Sequence, residues 1–211
     1  NSNLQNKKLE LNLSMTENSN SKFPSEADVV IVGVGGIVGS MIAYWLSELG
    51  QKNIVGLEKS SVIPSDIAST AHASDFVYNT THDNLGCWTT AFSRKFYEDN
   101  GFFLKKGGLE ICRKGDDARW EELKRKVGSG KAFGTNVRLI SAAEAKEKFP
   151  LLDEESLMGA MWDPDAGLVI PRSQDVVSFA VEHAKDKGAL KTFTDTPAID
   201  FEVENSRVTG V

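Results

Sequence analysis

The stretch Ala27–Lys59, ADVVIVGVGGIVGSMIAYWLSELGQKNIVGLEK, restricts the fold more than any other part of the chain. A short apolar run, Val29 to Val32, leads into four glycines, Gly33, Gly35, Gly36 and Gly39. Good helix formers continue to Leu49, and Gly50 stops them. A second apolar run, Ile54 to Leu57, ends at the acid Glu58. This order of strand, glycine turn, helix, strand and acid is the signature of a dinucleotide-binding βαβ unit.

Each residue type has a physical role. Glycine lets the backbone turn tightly and approach a pyrophosphate closely. The first helical turn offers unpaired N–H groups and the positive end of the helix dipole to phosphates. Glu58 lies about 20 residues beyond the glycines, where an acid can accept hydrogen bonds from an adenosine ribose. It would repel a 2′-phosphate, so NADP is disfavoured. The glycine string itself is irregular. A literal G-x-G-x-x-G from Gly33 needs glycine where Val38 stands, so the string G-V-G-G-I-V-G reads best with Val34 as an extra residue in the turn. Residues 29–47 carry no charge, a length compatible with a membrane helix. The glycines, the change from strand to helix pattern and the acid at the right distance argue against a span.

The 211 residues suffice for a sizeable core in one or two domains. With 30 acids against 24 bases, the net charge of −6 argues against nucleic acid and against an anionic membrane surface as partners. Cys87 and Cys112 form no metal spacing and read as thiols in a reducing compartment. Residues 1–26, rich in Asn, Ser, Lys and Glu, are expected to be a disordered leader, with Met15 as a plausible start. They contain no apolar core for a secretory signal and no arginine for a transit peptide. The expected location is cytoplasmic, or the mitochondrial matrix if the chain is eukaryotic and the leader incomplete. The final segment reads as a strand entered from a turn, and a fragment of a longer protein is expected.

Along the chain, a polar loop follows Glu58. Residues 84–99 form a helix with Leu85, Trp88, Phe92 and Phe96 on one face, expected to pack in the core. Two short strands flank Gly107-Gly108. A helix runs from Asp116 and Asp117 to Val127, and a glycine-rich connection leads to a strand at Asn136–Ile140. Ser141 and Glu144 make a capping box for a short helix ending at Phe149. A strand at 157–162 and a turn at 162–167 precede a helix from Ser173 to Lys187, with Val176, Val177, Ala180, Val181 and Ala184 as its buried stripe. Lys191–Thr194 reads as the next parallel strand, and Ala198–Val203 with Arg207–Val211 as an antiparallel pair. His183 reads as solvated.

The fold class expected is α/β, an interrupted Rossmann-type βαβ domain with an inserted α+β portion. The parallel sheet begins near 29 and 54 and resumes near 191. The boundaries drawn are a leader at 1–26, the first part of the nucleotide-binding domain at 27–100, an insertion at 101–163, and a continuation at 164–211.

These residues carry a resemblance. The sequence resembles FAD-dependent amine oxidoreductases of the D-amino-acid oxidase superfamily, most closely the dimethylglycine and sarcosine dehydrogenase/oxidase branch. The carrying elements are Val29–Val32 with the glycine turn, Glu58-Lys59, Ser69-Thr70-Ala71-His72-Ala73, Gly107–Glu110, Phe149–Asp153, Pro164–Gly167 with Pro171, and Arg207–Val211. They appear in the family's order over about residues 27–211. The Ser-Thr-x-His-Ala element is far more selective than the glycine turn.

The resemblance implies FAD as cofactor, with Gly33, Gly35, Gly36, Ile37, Val38 and Gly39 at the pyrophosphate and Glu58 and Lys59 at the ribose. It implies Ala68, Ser69, Thr70, His72, Ala73, Ser74, Asp75 and Phe76 on the flavin side, and the Ala198 backbone at the adenine. In that branch the histidine matching His72 is joined covalently to the flavin 8α carbon. An imidazole suits that role because, with an unperturbed pKa of about 6.5, it is largely neutral at cellular pH. The flanks depart from the family's usual pattern, with Ala68 before Ser-Thr and Ser74-Asp75 after His-Ala; Asp75 adds a charge close to the expected flavin position.

The function implied is oxidation of a secondary or tertiary N-methyl amine or amino acid, such as dimethylglycine or sarcosine, by hydride transfer to the flavin. The substrate-facing residues of the family lie mostly beyond Val211, so no catalytic acid or base is assigned, and no metal site is expected. Oxygen and an electron-transfer protein both remain open as acceptor. The alternatives are a non-catalytic FAD-binding fragment and an NAD-dependent dehydrogenase. Glu58 suits the latter, but the His72 element has no use in it.

Overall fold

A computed structural model describes residues 23–211. The expected disordered leader lies outside the described residues up to residue 22. At its end, Phe23 stacks on Phe193 with ring centroids 4.6 Å apart. Among the described residues no helix is long and apolar enough to cross a membrane. The uncharged run of residues 29–47 is divided between a strand and a helix of 12 residues.

The first sheet has three parallel strands, β1 (Val29–Val32), β2 (Ile54–Leu57) and β9 (Leu190–Phe193), in the order β1-β2-β9. Val29 pairs with Ile54 and Ile54 with Leu190. All four residues of the central strand β2 are buried, as befits a strand paired on both edges and apolar throughout. The crossovers are α1 (Ile37–Glu48) between β1 and β2, and α5 (Ser173–Asp186) on the return to β9. Both connections step in the same direction across the sheet, so right-handed crossovers put both helices on one face. Helix α1 buries only small residues, Gly39, Ser40, Ala43 and Ser47, at helical spacing. Helix α5 buries Val176, Val177, Ala180, Val181 and Ala184. Small side chains on α1 let the helix sit close to the sheet, and the core forms from Ile31, Val34, Ile54, Val177, Val181 and Leu190.

Most of the chain intervenes between β2 and β9. It holds a 3₁₀ turn (Ser69–His72), β3 (Phe76–Val77), α2 (Asn84–Asp99), β4 (Phe103–Lys105), β5 (Gly108–Arg113), α3 (Asp117–Ala132), β6 (Arg138–Ile140), α4 (Ala142–Lys148), β7 (Leu157–Asp163) and β8 (Gly167–Val169). One antiparallel sheet has the order β5-β7-β6, and α3 closes it through Leu123 and Val127 against Cys112, Val137 and Met161. A second antiparallel sheet, β3-β8-β4, lies where the chain enters and leaves this segment. β10 (Glu202–Glu204) and β11 (Arg207–Gly210) form an antiparallel hairpin. The Ser141–Glu144 capping box is present, with Glu144 N–H on Ser141 Oγ at 3.2 Å and Ser141 N–H on Glu144 Oε2 at 2.9 Å.

Several expectations need correction. The aromatic face of α2 is not core: Leu85 and Trp88 are 69% and 61% exposed, Phe92 is exposed, and only Phe96 of the four is buried. Periodicity placed them on one face correctly but carried no information on what lies opposite. Helix α3 does not end at Val127; it continues through Gly128 and Gly130 to Ala132. Gly130 is buried there because a Cβ would meet the Thr135 hydroxyl at 2.5 Å, so its lack of a side chain serves packing rather than a stop. His183 is not a free solvated side chain: its Nε2 lies 2.7 Å from Glu48 Oε1 and its ring packs on Tyr44 at 4.5 Å.

Val34 stands in the turn between β1 and α1, and its side chain is fully buried in the core beneath β1 and β2. A Cβ on Gly56 would meet Val34 Cγ1 at 2.8 Å, so the glycine in β2 makes room for the valine. Val34→Ala is therefore expected to lower stability by roughly 1–3 kcal/mol, from lost burial plus the residual cavity. Urea unfolding of the full-length protein measures it; an unchanged midpoint would contradict the packing described.

Candidate cofactor site

The glycine turn closes on the end of β2. Gly33, at φ +85°, enters the left-handed region open chiefly to glycine, and its N–H and that of Val34 both bond Leu57 O, at 2.8 and 3.2 Å. Gly39 sits one helical turn above; a Cβ there would stand 2.3 Å from Gly33 O. This is the close helix-to-turn approach that the third glycine of a dinucleotide fingerprint permits.

Glu58 joins the parts. Its side chain is buried, with Oε2 accepting from Gly35 N–H at 2.9 Å and Oε1 from Ser60 N–H at 3.0 Å. Its backbone N–H bonds Phe193 O, and its carbonyl accepts from Thr196 N–H, both at 2.9 Å. A Cβ on Gly35 would meet Glu58 Oε2 at 2.6 Å. Gly35 thus serves the acid rather than facing a ligand, and its N–H is not free for a phosphate.

The N-terminus of α1 is built to accept an anion. No acidic residue stands in its first turn. The Ile37 N–H donates to Thr70 Oγ1 at 3.0 Å, and the next two amides, of Val38 and Gly39, have no hydrogen-bond partner among the described residues. Such orphan amides at the positive end of the helix dipole are the usual seat of a phosphate.

Two adjoining clefts open from this point. One, of about 390 Å³, is lined by Gly33, Gly36, Glu58, Lys59, Ala68, Ser69 and Ala198 of the predicted residues, together with Thr196 and Pro197. The other, of about 320 Å³, is lined by Ile37, Ser69, Thr70, Ala73, Ser74, Asp75 and Phe76 of the predicted set, together with Tyr97, Val169 and Ser173. Ser69 belongs to both. Four predicted residues line neither: Gly35, Gly39, Val38, which borders an apolar hollow beside Trp45 and Phe92, and His72. His72 ends the 3₁₀ turn with an exposed side chain. Sequence reasoning missed Thr196 and Pro197, although they adjoin Ala198, and it missed Ser173, which it took only as a helix start.

Asp75, the charge expected close to the flavin position, is tied into an ion pair and a helix cap. It adopts φ +61°, a left-handed conformation that Asp tolerates better than most residues. Its Oδ1 accepts from Ser173 N–H at 2.9 Å and from Ser173 Oγ at 2.6 Å, and its Oδ2 pairs with Arg172 Nε at 2.6 Å. Helix α5 has no capping side chain of its own at Arg172, so Asp75 caps it from nearly 100 residues away. Burial raises the carboxyl's pKa, but the Ser173 hydrogen bonds and Arg172 outweigh it and hold the group below the ordinary aspartate range. The buried Asp163 behaves oppositely: desolvation pushes it up despite N–H donation from Asn79 and Asp165 at 3.0 Å each.

A profile of the FAD dependent oxidoreductase family matches residues 28–211. The chain belongs to this family. It is 28% identical over 196 residues to the mitochondrial pyruvate dehydrogenase phosphatase regulatory subunit of Mus musculus, covering 90% of this chain and 21% of that protein. It is 29% identical over 157 residues to the mitochondrial sarcosine dehydrogenase of Homo sapiens, covering 71% of this chain and 16% of that protein. Among solved structures, L-proline dehydrogenase from P. horikoshii superposes with a TM-score of 0.75 at 28% identity, over 88% of this chain and 48% of that one. The chain therefore spans about a fifth or less of the curated relatives and about half of the solved structure. Family membership decides between flavin and nicotinamide in favour of flavin.

The residues present fit FAD: the glycine turn admits no Cβ at Gly39, and the Val38 and Gly39 amides have no hydrogen-bond partner among the described residues.

Two outcomes follow. Gly39→Ala forces its Cβ into the Gly33 carbonyl and is expected to cost about 1–3 kcal/mol of stability, as overpacking does, read by thermal melting of the full-length protein. For Asp75, a folded pKa below the unfolded one gives stability that is present above the unfolded value and lost as pH falls through the folded value. The stability advantage of the wild-type chain over Asp75→Asn should accordingly hold at neutral pH and fade below about pH 4. Urea unfolding at a series of pH values tests this, and an advantage that persists at pH 2 would refute it.

Proposed function

We propose that the chain forms the FAD-binding part of an oxidoreductase acting on a secondary or tertiary amine, an N-methyl amino acid such as sarcosine or dimethylglycine. The carrying observation is the meeting of Glu58, the α1 N-terminus at Gly36 and Ile37, and the 68–76 segment around two adjoining clefts. Glu58 and Lys59, with Ala198, wall the adenosine end. The Val38 and Gly39 amides receive the pyrophosphate, and residues 68–76 wall the flavin end. FAD, when bound, supplies a two-electron acceptor for carbon–nitrogen oxidation. The protein binds and orients it and keeps water from its buried side.

Sarcosine and L-proline, for which two of the relatives are named, are both secondary amino acids, which supports the amine class. We assign residues 27–100 and 164–211 to the FAD-binding domain and 101–163 to an inserted substrate-side segment. His72 is the proposed point of covalent flavin attachment, on the strength of the Ser69–Ala73 element. The relatives named as mitochondrial support a mitochondrial compartment if the chain is eukaryotic.

A second reading, a flavin-binding regulatory module without turnover, is favoured by the relative matched over most of this chain, which is named as a regulatory subunit. Anaerobic mixing of the FAD-loaded full-length protein with sarcosine or dimethylglycine separates the two. Bleaching of the flavin absorbance by either supports the enzyme; no bleaching with a panel of N-methyl and cyclic secondary amino acids supports the regulatory module. Acid denaturation tests His72 separately. Flavin fluorescence is expected in the denatured band of the wild-type protein and is lost in His72→Ala; release of all flavin from the wild-type protein would sink the attachment.

A further inference from the structure

The segment that carries His72 is fastened at both ends to helix N-termini. At its start, Thr70 Oγ1 accepts from the first amide of α1, Ile37 N–H, at 3.0 Å. At its end, Asp75 caps the first amide of α5, Ser173 N–H, at 2.9 Å. Between them the Arg172 guanidinium reaches across the segment. Its Nε pairs with Asp75 Oδ2 at 2.6 Å, and its Nη2 lies 3.5 Å from the carbonyl oxygens of both Ala71 and Ala73. Those two carbonyls flank His72. One side chain therefore contacts the backbone on either side of the histidine and is itself fixed by an aspartate three residues further on.

The arrangement is unusual in its chemistry. The segment is short and largely of small residues, and its backbone is held locally by the single 3₁₀ turn, with Ala71 N–H on Ala68 O and Ala73 N–H on Thr70 O at its ends. Small side chains bury little surface, so packing alone holds such a stretch weakly. The Asp75 side chain is only 12% exposed, which strengthens its pairing, whereas Arg172 is half exposed and bridges from the rim.

We propose that Arg172 and Asp75 are a positioning pair that holds the His72 segment in its cofactor-ready place before any cofactor arrives. The role toward the cofactor rests on the reading of residues 68–76 as the flavin-side wall; the clamp itself does not. Pre-organising a binding loop removes its ordering cost from the binding step. The pair thus contributes to cofactor affinity without any requirement that Arg172 touch the cofactor.

Hydrogen exchange of the full-length apoprotein and FAD titration together test this. In Arg172→Gln, amides of residues 69–76 are expected to exchange about 10-fold faster, the equivalent of one partly buried charge-assisted contact, while peptides from β1, β2 and β9 keep their rates. FAD should bind about 10-fold more weakly. Arg172→Lys, which keeps the charge for Asp75 but not the fork across two carbonyls, should fall between the two. Unchanged exchange in 69–76, or an equal rise throughout the chain, would overturn the clamp. Faster exchange with unaltered FAD affinity would overturn the pre-organising role. A wild-type protein that takes up no FAD defeats the cofactor reading instead, and the exchange arm then decides the clamp alone.

Discussion

Glu58 is the residue on which the rest of the site depends. A single buried acid takes amide hydrogens from the glycine turn and from the loop that follows β2, while its own backbone bonds β9 and the segment leading to the final hairpin. The glycine turn, the loop after β2 and the stretch from Phe193 to Thr196 meet through it. The glycine at position 35 exists for this contact: any side chain there would displace the carboxyl group and with it the turn. Burying a carboxyl group is costly unless hydrogen bonds compensate, and here they come from amides whose direction the fold already fixes.

The remaining architecture follows from how closely α1 approaches the sheet. Its buried stripe of Gly39, Ser40, Ala43 and Ser47 has almost no bulk, so the helix N-terminus is brought down onto the turn, with Gly36 and Ile37 at the two clefts. Val34 fills the space beneath them. Helix α5 supplies the bulky half of the same interface, and its own N-terminus is held by Asp75 from the opposite side of the site. Two helix N-termini thus converge on the segment bearing His72.

Much of this was readable from the sequence because it is local. The glycine string, the acid after the second strand and the capping box at Ser141 are encoded within a few residues, and pattern alone identified them. The return of the sheet was also readable, expected at Lys191–Thr194 after the helix stop at Gly188 and found one residue earlier, at Leu190–Phe193. What escaped was non-local. Asp75 was legible as an added charge but not as a helix cap, because its partners Arg172 and Ser173 lie far along the chain. The aromatic face of α2 looked like core because spacing reports which side chains share a face and says nothing of what covers it. The burial of the Val34 side chain was not legible in the motif, because the space for it is made by Gly56 in the next strand.

The separation of β2 from β9 has a consequence for how the molecule forms. Strand β9, which pairs with β2 beside Glu58, and the Thr196–Ala198 wall of the cleft at Glu58, are made only after the whole intervening segment has been synthesised. Until then β2 has an unpaired edge, and the backbone partners of Glu58 do not exist. Contacts of such long sequence separation form slowly. The antiparallel sheet of β5, β6 and β7, with its near neighbours in sequence, has no such delay. On the ribosome the β5–β7 segment is therefore ready to fold before the strands that precede it, and the cleft at Glu58 closes only after it.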